Sequence, residues 1–139
     1  MTARPDAIMV VLMRQDHVLV IRRGPDVPAS GYWAPVSGRV EPGEDQADAV
    51  VREVREEVGL DVRPLRRVWG CISDDGAYFL HWWLAEYVGG TLLPEPHEVS
   101  DAAWILPAAF DKLDKTFVGD REFFAHVFPG LSERGPSAG

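Results

Sequence analysis

The sequence predicts a mixed α/β sandwich, and three observations predict it. The 139 residues suit one domain of ordinary size. β-rich runs lie on both sides of one amphipathic helical stretch, with hairpin turns between neighbouring runs. No internal repeat and no linker divides the chain. Residues 1–129 are therefore expected to form one domain. Residues 130–139 are small, polar and rich in Pro and Gly, which predicts a fraying tail.

The elements follow in order. Residues 7–13 and 17–23 are apolar and β-branched, and Arg14-Gln15-Asp16 between them reads as a hairpin turn. Residues 24–31 hold two prolines and two glycines and predict a loop. Residues 32–36 are short and extended, and Glu41-Pro42-Gly43-Glu44 is a turn. Residues 45–58 predict a helix that Gly59 closes by adopting a left-handed conformation. Residues 65–73 and 77–88 predict two further strands joined by Asp74-Asp75-Gly76. Residues 89–97 predict a loop and residues 102–106 a short strand. Residues 117–128 carry apolar side chains at helical spacing. Phe123, Phe124, Val127 and Phe128 among them are expected in the core. Trp82 and Trp83 must point to opposite faces of their strand.

Composition narrows the function. The formal net charge is −8. So acidic a chain is ill suited to grip a nucleic-acid polymer, where affinity comes from Lys and Arg displacing counterions. A small phosphorylated ligand remains compatible if a cation carries the positive charge. The single cysteine, Cys71, excludes an internal disulfide and a multi-cysteine zinc site. The longest apolar run falls far short of the ~20 residues that span a bilayer, so no membrane helix is expected. The N-terminus lacks the apolar core of a signal peptide, which makes the cytoplasm the expected location.

Half of the net charge lies between Gly38 and Leu60, where seven acids oppose Arg39, Arg52 and Arg55. At about 100° per residue, Glu53, Glu56 and Glu57 share an arc of roughly 100° on the predicted helix. Ala47, Val50, Val51, Val54 and Val58 form the adjacent apolar stripe. Ala49 falls among the acids and is expected to leave room above them. Carboxylates at these spacings repel one another. Arg52 and Arg55 offset part of that repulsion, and a hard divalent cation would offset more. The competing reading is a solvated acidic helix face without a ligand.

Residues 38–60 read GRVEPGEDQADAVVREVREEVGL. With Gly38, Glu44, Arg52, Glu53, Val54, Glu56, Glu57, Gly59 and Leu60 at their fixed spacing, this segment resembles the signature of the Nudix hydrolase superfamily. The resemblance implies an α/β/α sandwich with a mixed sheet. It also implies Mg²⁺-dependent (or Mn²⁺-dependent) attack of water on the pyrophosphate of a nucleoside diphosphate-linked substrate. Glu53, Glu56 and Glu57 resemble the family's metal ligands, and Glu53 or Glu57 would also orient or deprotonate water. Glu44 would support the metal shell, Arg52 would hold a glutamate in place, and the Gly38 loop would pass near the metal. The chain departs from many members at Pro35-Val36-Ser37-Gly38, where they carry Pro-Gly-Gly.

Outside this segment, Glu98 is the first choice for a further ligand or base, ahead of Glu95, Asp101 and His97. Arg22 and Arg23 end a strand and are candidates to reach a phosphate or a base, and alternation should turn one of the two to solvent. Tyr32 and Trp33 are candidates to stack on a nucleobase. No NADH-type or coenzyme A-type tag is present, and Tyr78 alone resembles the tag of dinucleoside polyphosphate hydrolases. The small size and short loops resemble the nucleoside triphosphate pyrophosphohydrolases of the nucleotide pool. Dinucleoside polyphosphates, nucleotide sugars or non-catalytic nucleotide sensing are the alternatives. Many relatives in the superfamily are dimers, so the resemblance admits a homodimer.

Overall fold

The computed structural model describes residues 3–134. Seven strands form one mixed sheet: β1 (Asp6–Arg14), β2 (His17–Arg23), β3 (Trp33–Ala34), β4 (Val36–Arg39), β5 (Leu60–Ile72), β6 (Phe79–Gly90) and β7 (Val99–Ile105). The main order is β3-β2-β1-β6-β5, with β4 also paired to β1 and β7 to β2. β1 runs parallel to β6 and antiparallel to β2 and β4.

β1 is apolar almost throughout because the sheet is covered on both faces. Ile8, Val10 and Leu12 pack with Val50, Val54 and Val58 of the helix α1 (Gln46–Val58). Met9 and Val11 pack on the other face with Trp82, Phe110, Phe123 and Phe124. That second layer consists of a 3₁₀ turn (Pro107–Lys112), α2 (Val118–Glu122), a π turn (Phe123–Val127) and α3 (Phe128–Arg134). The predicted α/β/α sandwich with a mixed sheet is therefore the observed fold.

Four expectations change. β5 starts at Leu60, five positions before the predicted strand, because Gly59 at φ 74° turns the chain straight from the helix into the sheet. Ala49 is wholly buried in the core and does not sit open above the acids. Pro107–Lys112 forms a 3₁₀ turn where no regular element is expected. Phe128–Arg134 is helical, so the chain remains regular past Gly130, while residues 135–139 lie outside the described residues. Trp82 is buried under the C-terminal layer, whereas Trp83 packs against the α1 side, as alternation requires. Among the described residues no helix is long and apolar enough to cross a membrane.

Candidate active site

α1 presents its acids to the loop that follows β4. The helix starts at Asp45, whose carbonyl accepts the Ala49 N–H at 3.0 Å, and ends at Gly59, whose N–H reaches the Arg55 carbonyl at 3.1 Å. Gly38 explains why the loop carries glycine. A Cβ there would lie 2.1 Å from the Glu53 carboxyl carbon, so only a residue without a side chain lets that carboxylate rest against the loop. Val36 is buried in the core and Ser37 lines the cleft, so the departure at these two positions leaves the Gly38 approach intact.

Arg52 organises the acids. Its Nε donates to Glu44 Oε2 at 2.7 Å and its Nη2 to Glu44 Oε1 at 2.9 Å, a bidentate pair. Its Nη1 donates to Glu53 Oε1 at 2.7 Å and to Glu56 Oε2 at 3.2 Å. Its Nη2 also binds the Arg39 carbonyl at 2.9 Å, which ties the helix to the loop. The Arg52 bonds hold the Glu44 carboxyl at about 2, well below the usual range. The carboxylates in turn hold Arg52 above its ordinary value.

Glu57 lies deeper and is 8% exposed. Burial, then a hydrogen bond and like charge from Glu53, then Glu98, push its carboxyl up to about 10, while Arg23 opposes the shift. Burial and the neighbouring Glu53 also raise Glu98. The loop that carries Glu98 is pinned from both sides. Glu57 accepts the Glu95 N–H on its backbone carbonyl at 2.8 Å, and Glu95 Oε2 accepts the N–H groups of His97 and Glu98 at 3.1 and 3.0 Å. The Glu98 carbonyl accepts the Gly24 N–H at 2.7 Å. His97 Nδ1 pairs with Asp26 at 2.8 Å, so this side chain clasps two loops together.

These groups face a cleft of about 900 Å³, lined by Gly38, Arg52, Glu53, Glu57, Glu98 and Arg23. Of the two strand-end arginines, Arg23 lines the cleft and Arg22 is exposed, with its Nε directed at the Gly31 carbonyl. Burial lowers the Arg23 value, and its Nε donates to the Pro28 carbonyl at 2.6 Å. Tyr32 packs on Phe117, a cleft-lining ring, with centroids 4.9 Å apart. Trp33 packs in the C-terminal core layer and is not part of the lining. Glu56 and Glu44 also lie outside the lining and meet the site through Arg52. Asp101 is exposed and bonds the N–H of Ala102. Tyr78 lines the cleft under Arg39, whose guanidinium carbon lies 5.8 Å from the ring centroid.

Asp120 was missed by the sequence reading. It lines the same cleft, is 2% exposed, and is pushed up to about 8 by burial and by Asp74. A signal was available: Asp120 precedes Phe123 and Phe124 by three and four positions, which puts an acid on the buried stripe.

A hard cation suits this site in kind. Its donors are carboxylate oxygens, and the crowding of Glu53, Glu57 and Glu98 is the like-charge strain that such an ion relieves. As placed, Glu53 and Glu56 are turned onto Arg52, and among the described residues no three acid, His or Cys side chains converge closely enough to hold an ion.

The fold and the site define an α/β/α sandwich protein with a carboxylate-lined cleft. The chain belongs to the NUDIX family: the model of the NUDIX domain matches residues 3–127. The family is one of hydrolases that act on phosphoanhydride-type bonds and generally use divalent metal ions. The chain is 40% identical over 100 residues to the NAD-capped RNA hydrolase NudC of Stutzerimonas stutzeri, a match that covers 69% of this chain and 34% of that protein. It is 36% identical over 96 residues to the NudC of Chromobacterium violaceum, covering 69% and 36%. The chain thus matches about a third of the length of these curated relatives. Among solved structures, the MutT protein of Methanosarcina mazei Go1 superposes with a TM-score of 0.78 at 18% identity, over 91% of this chain and 94% of that one. An ADP-ribose pyrophosphatase of Streptococcus suis gives 0.72 at 22% identity, over 96% and 95%. At these identities the two structures support the fold alone.

Proposed function

We propose that the chain hydrolyses a pyrophosphate bond in a nucleoside diphosphate-linked substrate, with Mg²⁺, or Mn²⁺ in its place, as cofactor. Glu57 carries this reading: a buried carboxyl beside Glu53 and Glu98, facing a cleft with Arg23 at its side. Such a group is poorly placed for stability and well placed to bind a cation or take a proton. Glu53, Glu56, Glu57 and Glu98 would hold the ion, with the Gly38 backbone close by. A divalent cation bound there neutralises phosphate charge and makes water more acidic.

The chain's own residues supply the rest. Glu53 or Glu57 orients the attacking water and accepts its proton. Arg52 fixes Glu53, and Glu44 fixes Arg52. Arg23, desolvated beside the acids, binds a phosphate oxygen. Tyr32 supports the Phe117 ring on the substrate side. Arg22 and Trp33 lie outside the cleft lining and are not needed for this reading.

One substrate class is a (d)NTP of the nucleotide pool, which the short loops favour. The NudC relatives favour a second reading, an NAD-like dinucleotide joined through pyrophosphate. A cleft of about 900 Å³ is large for a single-ligand site, where roughly 300–1,000 Å³ is usual, and fits either. The test is a phosphate-release screen with Mg²⁺ or Mn²⁺ across ordinary and oxidised (d)NTPs, NADH, ADP-ribose, nucleotide sugars and diadenosine polyphosphates, with coupled phosphatases to reveal each product. Turnover of one class should fall by roughly 10²–10⁴-fold in Glu57→Gln. Turnover that Glu57→Gln leaves intact contradicts the assignment. Silence across the panel together with nucleotide-dependent stabilisation would favour a sensing module.

A further inference from the structure

We propose that Asp26 and His97 are positioning residues, and that their pair holds Glu98 on the metal side of the cleft and Arg23 on the phosphate side in one fixed arrangement. The assignment deepens the hydrolase reading and rests on it for the roles of Glu98 and Arg23.

The two residues belong to loops that meet where the β2–β7 ladder ends. That ladder runs to Arg23 opposite Val99, after a register shift between Arg22 and Arg23. Beyond it three hydrogen bonds join the loop after β2 to the loop before β7. The Gly24 N–H donates to the Glu98 carbonyl at 2.7 Å, the Asp26 N–H to the His97 carbonyl at 3.1 Å, and His97 Nδ1 to Asp26 Oδ2 at 2.8 Å. The approach is close, since a Cβ on Gly24 would lie 2.8 Å from the Glu98 carbonyl carbon and from the His97 oxygen.

Each loop carries a group of the site. Glu98 follows His97 directly. Its backbone is held from the α1 side by Glu95, whose N–H reaches the Glu57 carbonyl and whose Oε2 accepts the N–H groups of His97 and Glu98. Val27, Pro28 and Ala29 follow Asp26 and line the cleft. The Pro28 carbonyl accepts Arg23 Nε at 2.6 Å, so this loop sets the Arg23 guanidinium. Ala29 stands at φ 58°, a left-handed conformation that costs energy for a residue with a Cβ. The loop therefore needs bonds to keep its shape. The Tyr32 N–H on the Ala29 carbonyl is one, and the Asp26–His97 pair is another.

Neither Asp26 nor His97 lines the cleft, so the pair acts through its neighbours. Both side chains are well exposed, Asp26 at 60% and His97 at 73%. An exposed pair adds little to global stability. Breaking it should leave the fold intact and release Glu98 and the Pro28 carbonyl from one another.

The test uses Asp26→Ala, His97→Ala, the double variant and Asp26→Asn in the full chain. Mn²⁺ affinity is measured from the paramagnetic resonance of the free ion at one fixed pH, and KM and kcat on any substrate the screen finds. Asp26→Ala and His97→Ala should each weaken Mn²⁺ by roughly tenfold. The double variant should lose no more than either, because both remove the same bond. Asp26→Asn keeps an oxygen for the His97 N–H and should restore Mn²⁺ affinity. In a Glu98→Gln background Asp26→Ala should have no further effect on Mn²⁺. On a substrate, breaking the pair should also raise KM, because Arg23 loses its fixed carbonyl. Melting temperatures should stay at the wild-type value. Unchanged Mn²⁺ affinity in both single variants, additive losses in the double variant, or the same loss in the Glu98→Gln background would overturn the assignment. A loss of affinity in step with a lower melting temperature would reduce the pair to a structural contact and overturn it too. A wild type that binds no Mn²⁺ would remove the metal reading of Glu98 and the assignment with it. Mn²⁺ binding that needs Glu57 but not Asp26 would remove the assignment alone.

Discussion

At Arg52 one guanidinium meets four carboxylates: Glu41 at 3.2 Å, Glu44 at 2.7 Å, Glu53 at 2.7 Å and Glu56 at 3.2 Å. Its position in the sequence, one residue before Glu53 and four before Glu56, made that role readable without coordinates. Glu57 was readable as a candidate, but its depth was not. Burial there depends on the sheet below and on the loop carrying Glu98, both distant in sequence. The place of Asp120 on the buried stripe was readable, but its approach to Asp74 was not, because two separate turns bring the Asp74 carboxylate to the start of α2. The residue that tests this geometry most sharply is Gly38. Gly38→Ala places a methyl 2.1 Å from the Glu53 carboxyl carbon and forces that carboxylate away. The expected result is a loss of turnover of roughly tenfold or more with little change in melting temperature. Circular dichroism melts alongside steady-state kinetics would check it.

The helix α1 was legible because its apolar stripe, acidic edge and closing glycine agree with one another. β5 was legible only in its second half. Asp61, Arg63 and Pro64 resemble a loop, yet Leu60 and Val62 alternate with them and are buried. Proline is tolerated because β5 is an edge strand with register shifts on either side of Pro64. Gly59 connects these two elements at φ 74°, and a Cβ there would approach the Thr91 carbonyl oxygen to 3.1 Å. Gly59→Ala is expected to cost about 1–2 kcal/mol from the left-handed conformation, measured by urea denaturation. It should also tilt the last helical turn, which carries Glu57, and so lower kcat.

Across the whole molecule, the two apolar layers place strands of the sheet, one edge of α1 and several loops around one cleft. The sandwich was readable from the order of runs, whereas the convergence of residues 23, 57, 98 and 120 on one cavity needed the tertiary structure. The acidic net charge is concentrated where the cleft is, so the molecule's stability should respond to pH and to cations there. Glu57 goes from an ordinary 4.5 up to about 10 on folding. Its folded value is raised, so its contribution to stability is full below about pH 4.5 and is lost as pH rises toward 10. A cation that binds the carboxylates opposes that loss, and ligand linkage converts the binding into a higher melting temperature. The central claim is that these acids form a metal site for hydrolysis. Its most direct test is the melting temperature with and without Mn²⁺ at pH 5 and pH 8, for wild type and Glu56→Gln/Glu57→Gln. The account predicts a Mn²⁺-dependent rise that is larger at pH 8 and absent in the double variant. An equal rise in both proteins, or none in wild type at either pH, would contradict it.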